Sequence, residues 1–257
     1  VAHSAFNVFA TCILLPFSKG LEKLACITIR DEKEENDETE GLQLLDERFL
    51  DKPALAMEQS RTVANYMADA SRDCMLEALS LFQEYKGELE DKIVEDEDKV
   101  DKYEDALGTY LVRLGQKDLS QRDSRDLSVI LHCIGDFERI SDHGVNIMES
   151  AKELHDKGLK FSDKALAELA VISRAVEDIV KLSYQVFKER DFKLAKKVEP
   201  LEEIIDELNQ ELKTRHVDRL REGKCTIEQG FILSDVLTSL ERISDHCSNI
   251  AVCISQI

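Results

Sequence analysis

The sequence predicts an all-α protein made of two tandem antiparallel three-helix bundles. Three observations carry that prediction. The 257 residues include only 3 Pro and 10 Gly, and the commonest residues are strong helix formers. From Leu55 onward the apolar residues recur at helical spacing, and no β-branched run alternates with polar residues. The word Glu138-Arg139-Ile140-Ser141-Asp142-His143 returns letter for letter as Glu241-Arg242-Ile243-Ser244-Asp245-His246, 103 residues later. Asn146-Ile147 follows the first copy as Asn249-Ile250 follows the second, so one helical unit is used twice.

In chain order, residues 1 to 30 come first. They open with VAHSAFNVFATCILLPF, an apolar run dotted with Ser4, Asn7 and Thr11. The run is shorter than the roughly 20 residues that span a bilayer. Lys19, Lys23 and Arg30 follow it, and positive charge after an apolar segment marks the cytoplasmic side. Two readings stand: the end of a spanning helix cut at its start, or an ordinary buried helix. A secretory leader fits poorly, because no basic start precedes the apolar part. Residues 31 to 53 read as an acidic linker and connection. The stretch DEKEENDETE (31 to 40) holds seven acids against one base and has no apolar face.

The first helix is expected over about 54 to 85, ending near Gly87, and the second over about 91 to 114, stopping near Gly115. Ser120 with Asp123 resembles a capping box that opens the third helix. Leu127, Ile130, Leu131, Ile134 and Phe137 share one face of that helix, which stops near Gly158. The second unit repeats this order. Ser162 caps a fourth helix over about 163 to 189, and Asp191 caps a fifth running to Gly223. Thr226 with Gln229 opens the sixth, whose apolar face includes Leu233, Val236, Leu237, Leu240, Ile243, Ile250 and Ile254. Helices of this length are roughly 40 to 50 Å long, and short links make neighbours antiparallel. Residues 54 to 158 form the first bundle and 159 to 257 the second.

Charge and cysteine content narrow the function. The chain has 34 basic and 53 acidic residues, a net charge of −19. Such a surface repels phosphate backbones, which argues against nucleic-acid partners and favours cations or basic partners. Plain solubility accounts for the charge equally well. The 7 Cys are odd in number and form no Cys-x-x-Cys, which suits a reducing compartment and argues against a disulfide framework or a thiolate zinc site. Cys225, Cys247 and Cys253 read as single buried or half-buried thiols.

Glu138 and Asp142 are four residues apart and share a helix face, as do Glu241 and Asp245. The second helix of each bundle offers a matching pair, Glu97 with Asp101 and Glu202 with Asp206, at an offset of 105 between Asp101 and Asp206. Each bundle thus presents four carboxylates on two adjacent helices. Carboxylates are hard oxygen ligands suited to Mg, Ca, Mn or oxidised iron. Without a cation their repulsion costs only about 0.2 to 0.5 kcal/mol per pair, so solvated acids remain the competing reading.

The other repeated residues read as structural. His143 and His246 lie about 100° around the helix from the acids and read as surface or interface histidines. Arg139 and Arg242 are expected to pair with acids of adjacent helices, and Asn146 and Asn249 to make interhelix hydrogen bonds. Ser141, Gly144 and Ser244 are small enough for close helix approach. No Glu-x-x-His, Gly-rich phosphate loop or Gly-x-Ser-x-Gly occurs, so the residues name no catalytic group and an enzyme is not expected.

The twice-used Glu-Arg-Ile-Ser-Asp-His with its trailing Asn-Ile resembles the PhoU family. The resemblance covers about 55 to 257. It implies two three-helix bundles whose Glu/Asp-x-x-x-Asp motifs bind metal ions, and a role in the control of phosphate uptake. By this likeness Glu138, Asp142, Glu241 and Asp245 are the leading ligands and Glu97, Asp101, Glu202 and Asp206 the next. The implied cofactor is a divalent or trivalent metal ion: iron, magnesium, manganese or zinc. Gly144-Val145 departs from the family's small-then-polar pair, which bears on packing rather than on the acids.

Two N-terminal stretches carry a second likeness. Ala2-His3-Ser4-Ala5-Phe6-Asn7 and Leu14-Leu15-Pro16-Phe17 look like the end of the membrane domain of bacterial sodium/phosphate cotransporters. The run from Leu45 to Arg61 looks like the link to their PhoU-like domain. The implied molecule is the regulatory domain of a sodium-dependent phosphate transporter, at the cell membrane with residues after about 30 cytoplasmic. Its partners would be its own upstream transport domain carrying sodium and phosphate, a phosphate-signalling protein, and a second copy of itself. The Gln-Ser-Ser-type transport motifs are absent, which places any transport site upstream of Val1. The alternatives are a free-standing PhoU-like adaptor and a purely structural helical scaffold.

Overall fold

The computed structural model describes residues 39–255, and every regular element among them is helical. Six long helices are α1 (Pro53–Ser80), α2 (Gly87–Leu114), α3 (Gln121–Asp156), α4 (Asp163–Glu189), α5 (Val198–Arg221) and α6 (Ile227–Ser255). Helices α1 to α3 pack as one three-helix bundle and α4 to α6 as a second. The two repeat-bearing helices, α3 and α6, pack side by side and join the bundles. Short links alternate the direction of successive helices, which sets α3 and α6 antiparallel.

The helix starts follow the cap chemistry. Ser120 accepts a hydrogen bond from the Asp123 amide at 3.1 Å, and Ser162 accepts one from Ala165 at 3.3 Å. Thr226 and Gln229 cap each other, amide to side chain, at 2.9 and 3.1 Å, satisfying donors that α6 itself leaves open. Gly158 and Gly223 follow α3 and α5 with φ of +63° and +67°, the left-handed turn that glycine makes without penalty.

Two boundaries differ from expectation. Helix α1 stops at Ser80, and Gly87 opens α2 instead of closing α1. The expected fifth helix is broken: Asp191 caps a one-turn helix, Phe192–Ala195, and α5 begins only at Val198. Pro200 is the cause. Its ring would clash with the Lys196 carbonyl and it has no N–H to donate there, whereas in a helix's first turn neither defect matters.

The expected linker also ends early. From Thr39, which is buried, the chain folds back through 3-10 turns at Leu42–Leu44 and Glu47–Phe49. The hydroxyls of Tyr103 and Tyr110 on α2 donate to the carbonyls of Glu40 (2.7 Å) and Asp46 (3.2 Å), and Leu50 is buried. The expected end of a transporter domain (1 to 30) and most of the acidic run (31 to 38) lie outside the described residues.

Where the bundles meet, polar and aromatic groups interlock. Phe137 packs against Tyr184 and Phe187 with ring centroids 5.0 and 4.9 Å apart. Tyr184, fully buried, donates to the Ser71 hydroxyl at 2.8 Å, and Ser71 donates to the Phe137 carbonyl at 2.6 Å. One relay therefore ties α1, α3 and α4 together.

The expected cell-membrane location is corrected by the helices themselves. Among the described residues no helix is long and apolar enough to cross a membrane. Charge recurs too often: even α6, the most apolar, carries Glu228, Asp235, Glu241, Arg242 and Asp245.

Candidate metal-binding carboxylate clusters

The repeated word sits where α3 and α6 each face the second helix of their own bundle. Ile140, Ile147, Ile243 and Ile250 point into the core at 0% exposure, which turns the acids one side of that stripe toward α2 and α5. Ser141 donates to the Glu138 carbonyl and Ser244 to the Glu241 carbonyl, both at 2.8 Å. Their small side chains keep the interface narrow. Gly144 goes further: a Cβ there would stand 3.2 Å from the Cys74 sulfur and 3.4 Å from the Met75 Cα.

In the first bundle the structure gathers Glu97, Asp101 and Asp142, with one carboxylate oxygen of each within 4.8 Å of the others. In the second it gathers Glu202, Asp206 and Asp245 in the same way. A cation with oxygen bonds of about 2.0 to 2.4 Å holds its ligand oxygens at most about 4 to 5 Å apart, so either trio is dimensioned for one hard ion. All six donors are oxygen, which suits Mg, Mn or ferric iron better than zinc, the ion that usually takes histidine or cysteine.

Burial, followed by the neighbouring carboxylates, pushes Glu97, Asp101, Glu202 and Asp206 above the usual acid range. Glu138 stands beside the first trio rather than in it. Burial first and Asp142 next push its carboxyl up to about 7, against the opposing pull of Arg139. Three acids held together in this way, with only one exposed arginine against each trio's aspartate, invite a cation or protons.

The two clusters are not copies in detail. Glu241, the counterpart of Glu138, accepts from Asn209 Nδ2 at 2.6 Å and Lys213 Nζ at 2.8 Å. At the 105-residue offset the first bundle has Glu104 and Gly108 in those places. The second cluster thus carries an internal cation, while the first has an additional acid that further raises Glu138. Comparing the helix-two segments of the two copies side by side exposes this difference from sequence alone.

Arg139 and Arg242 do not reach adjacent helices. Each pairs with the aspartate three residues on, Asp142 at 3.1 Å and Asp245 at 3.5 Å. Both are more than half exposed, and such pairs contribute little. His143 and His246 stay out of the clusters and meet at the α3–α6 seam, ring centroids 6.0 Å apart. His246 Nδ1 lies 2.9 Å from Asp136, which also accepts from Asn249 at 3.3 Å. Asn249 therefore makes the expected interhelix bond, whereas Asn146 is exposed and contributes its carbonyl to Ser150.

Comparison with known proteins bears on the family and the fold. The model of the PhoU domain matches residues 65–151 and 169–254, one match per bundle. The chain is 30% identical over 126 residues to the phosphate-specific transport system accessory protein PhoU homolog 1 of Thermotoga maritima, covering 49% of this chain and 53% of that one. It is 24% identical over 254 residues to the putative inorganic phosphate export protein YjbB of Escherichia coli, covering 97% of this chain and 46% of that one. The chain thus spans about half the length of these two relatives. Its fold is that of the crystal structure of PhoU from Pseudomonas aeruginosa, with a TM-score of 0.72 at 24% identity over 77% of this chain and 94% of that one. PhoU from Streptococcus pneumoniae superposes with a TM-score of 0.70 at 16% identity, over 79% and 94% of the two chains.

Proposed function

Because the chain belongs to the PhoU domain family, we propose that it regulates a phosphate transport system through cation-dependent docking to a phosphate-signalling partner. The observation that carries this reading is the pair of oxygen-only clusters at matched places on the two bundles. A hard cation, when bound, supplies positive charge that cancels the carboxylate repulsion. Glu97, Asp101 and Asp142 would hold it in the first bundle, with Glu138 in reserve beside them. Glu202, Asp206 and Asp245 would hold it in the second. The chain's own contribution is to fix the acids on rigid helices and set their spacing. Cancelling their charge converts a strongly anionic face into one that a partner can approach. No side chain is assigned a catalytic role.

A free-standing regulator is the form favoured by the PhoU homologues. A second reading, in which this unit shares a polypeptide with a phosphate-transporting part, is favoured by the match to the E. coli phosphate export protein over 97% of this chain.

One experiment tests the function. Cells lacking the chain are given either the wild type or a variant with Glu97, Asp101, Asp142, Glu202, Asp206 and Asp245 changed to Ala. Metal content of the purified proteins and phosphate uptake by the cells are both measured. The expected result is loss of bound metal and loss of control over uptake, with helix content intact. Normal control of uptake by a metal-free variant would refute the reading. An antibody against residues 39–255 separates the two forms: a cellular band well above 29.2 kDa supports the joined one.

A further inference from the structure

Away from both carboxylate clusters, arginines collect where the acidic balance of the chain makes them unexpected. A pocket of about 370 Å³ opens at the start of α3, beside the turn that leaves α4. Arg122, Arg125 and Arg190 line it, with Phe192 and Ile254 forming an apolar wall. Its one acidic lining residue, Asp126, is 3% exposed and already engaged on both oxygens, by Arg61 at 2.9 Å and by Arg190.

Arg122 and Arg125 have no carboxylate within 4.0 Å among the described residues, whereas every other described arginine has one. The nearby acids are occupied elsewhere. Asp123 accepts from Ser120, Glu189 from Gln185, and Asp191 from the Lys193 and Leu194 amides.

Two further features run against local preference. Arg122 and Arg125 stand in the opening turns of a helix, where the dipole disfavours cations. Arg190 is the one non-glycine described residue with positive φ, +53°, a conformation that side chains other than those of Gly, Asn and Asp seldom adopt. This places its guanidinium on Asp126 at the pocket floor. An anion bound here would offset the clustered positive charge, with open amides and planar guanidinium forks as donors.

We propose that this pocket binds a phosphate-type oxyanion, either inorganic phosphate or the phosphoryl end of a small phosphomonoester whose organic part rests on Phe192 and Ile254. The site needs no metal and is independent of the carboxylate clusters. Its lining comes from α3, from the turn after α4 and from α6, so an occupant bridges the two bundles.

The test is calorimetric titration of the full chain, stripped with EDTA, with inorganic phosphate and separately with glycerol 3-phosphate, chloride holding ionic strength constant. Saturable binding is expected, and Arg122→Gln with Arg125→Gln should weaken it about tenfold or more, the effect of losing a charge-assisted pair. Both side chains are exposed and unpaired, so the unliganded melting temperature should stay put. Saturation by both ligands assigns the site to the phosphoryl group alone; saturation only by glycerol 3-phosphate assigns it to organic phosphates. Absence of saturation with either, or equal binding by the double variant, would overturn the proposal.

Discussion

Burial and the neighbouring Asp142 push the Glu138 carboxyl up to about 7, and the sign of its effect on stability follows. A folded-state value above the ordinary glutamate range stabilises the protein at low pH. That contribution fades as pH rises from about 4.5 through about 7. The metal-free chain should therefore lose stability over that window, by about 1 kcal/mol at most once solvent screening is allowed for. Glu138→Gln should flatten the loss, which urea unfolding at pH 5 and pH 8 would show; an unchanged pH dependence would contradict the assignment. At the counterpart site Lys213 already neutralises Glu241 at 2.8 Å. With the first cluster disabled, Lys213→Ala should tighten manganese binding at the second by about fivefold, the equivalent of about 1 kcal/mol for a part-exposed pair. Electron paramagnetic resonance titration of free manganese measures this directly. The six acids that gather in the trios were legible because the sequence repeats them, while Glu138 and Glu241, expected among the leading ligands, fall outside both trios. Lys213 and Asn209 were not legible, because a repeated word directs attention to what was kept rather than to what changed.

At the level of whole helices, close approach sets the tolerance for change. Gly144 lets α3 lie against the α1 backbone at Met75, so Gly144→Val should destabilise the fold by about 2 to 4 kcal/mol, as overpacking of a tight interface does. Urea midpoints of the two proteins, at equal slope, give the number, and a shift under about 0.5 kcal/mol would show that the interface yields. Element types and most caps could be read in advance, since Ser120, Ser162, Asp191 and Thr226 announce their own hydrogen bonds. The break before α5 is hidden by the strength of the Asp191 cap, and it is Pro200, a residue a helix tolerates only in its first turn, that marks it. The docking of residues 39 to 50 is invisible in the sequence for a different reason. It rests on two tyrosines of α2 more than sixty residues away, and no local pattern carries such a contact.

For the molecule as a whole, ligand binding and stability are linked. A cation at a hundred times its dissociation constant stabilises a protein by about 2.7 kcal/mol per site. Saturating manganese should accordingly raise the melting temperature, and calorimetry of the variant lacking all six trio acids should show no rise. The repeat made the double bundle legible from the sequence. The seam relay of Tyr184, Ser71 and Phe137 was not, because it joins three helices through contacts between residues 66 and 113 positions apart in the chain. The lysine lodged in one cluster and missing from the other has a further consequence. Twin sites of equal strength would saturate together and report only whether the ion is present. On the proposed reading a handicapped second site would fill later, so the two in succession would track supply from scarcity to abundance, and one short chain would serve as a gauge with two scales.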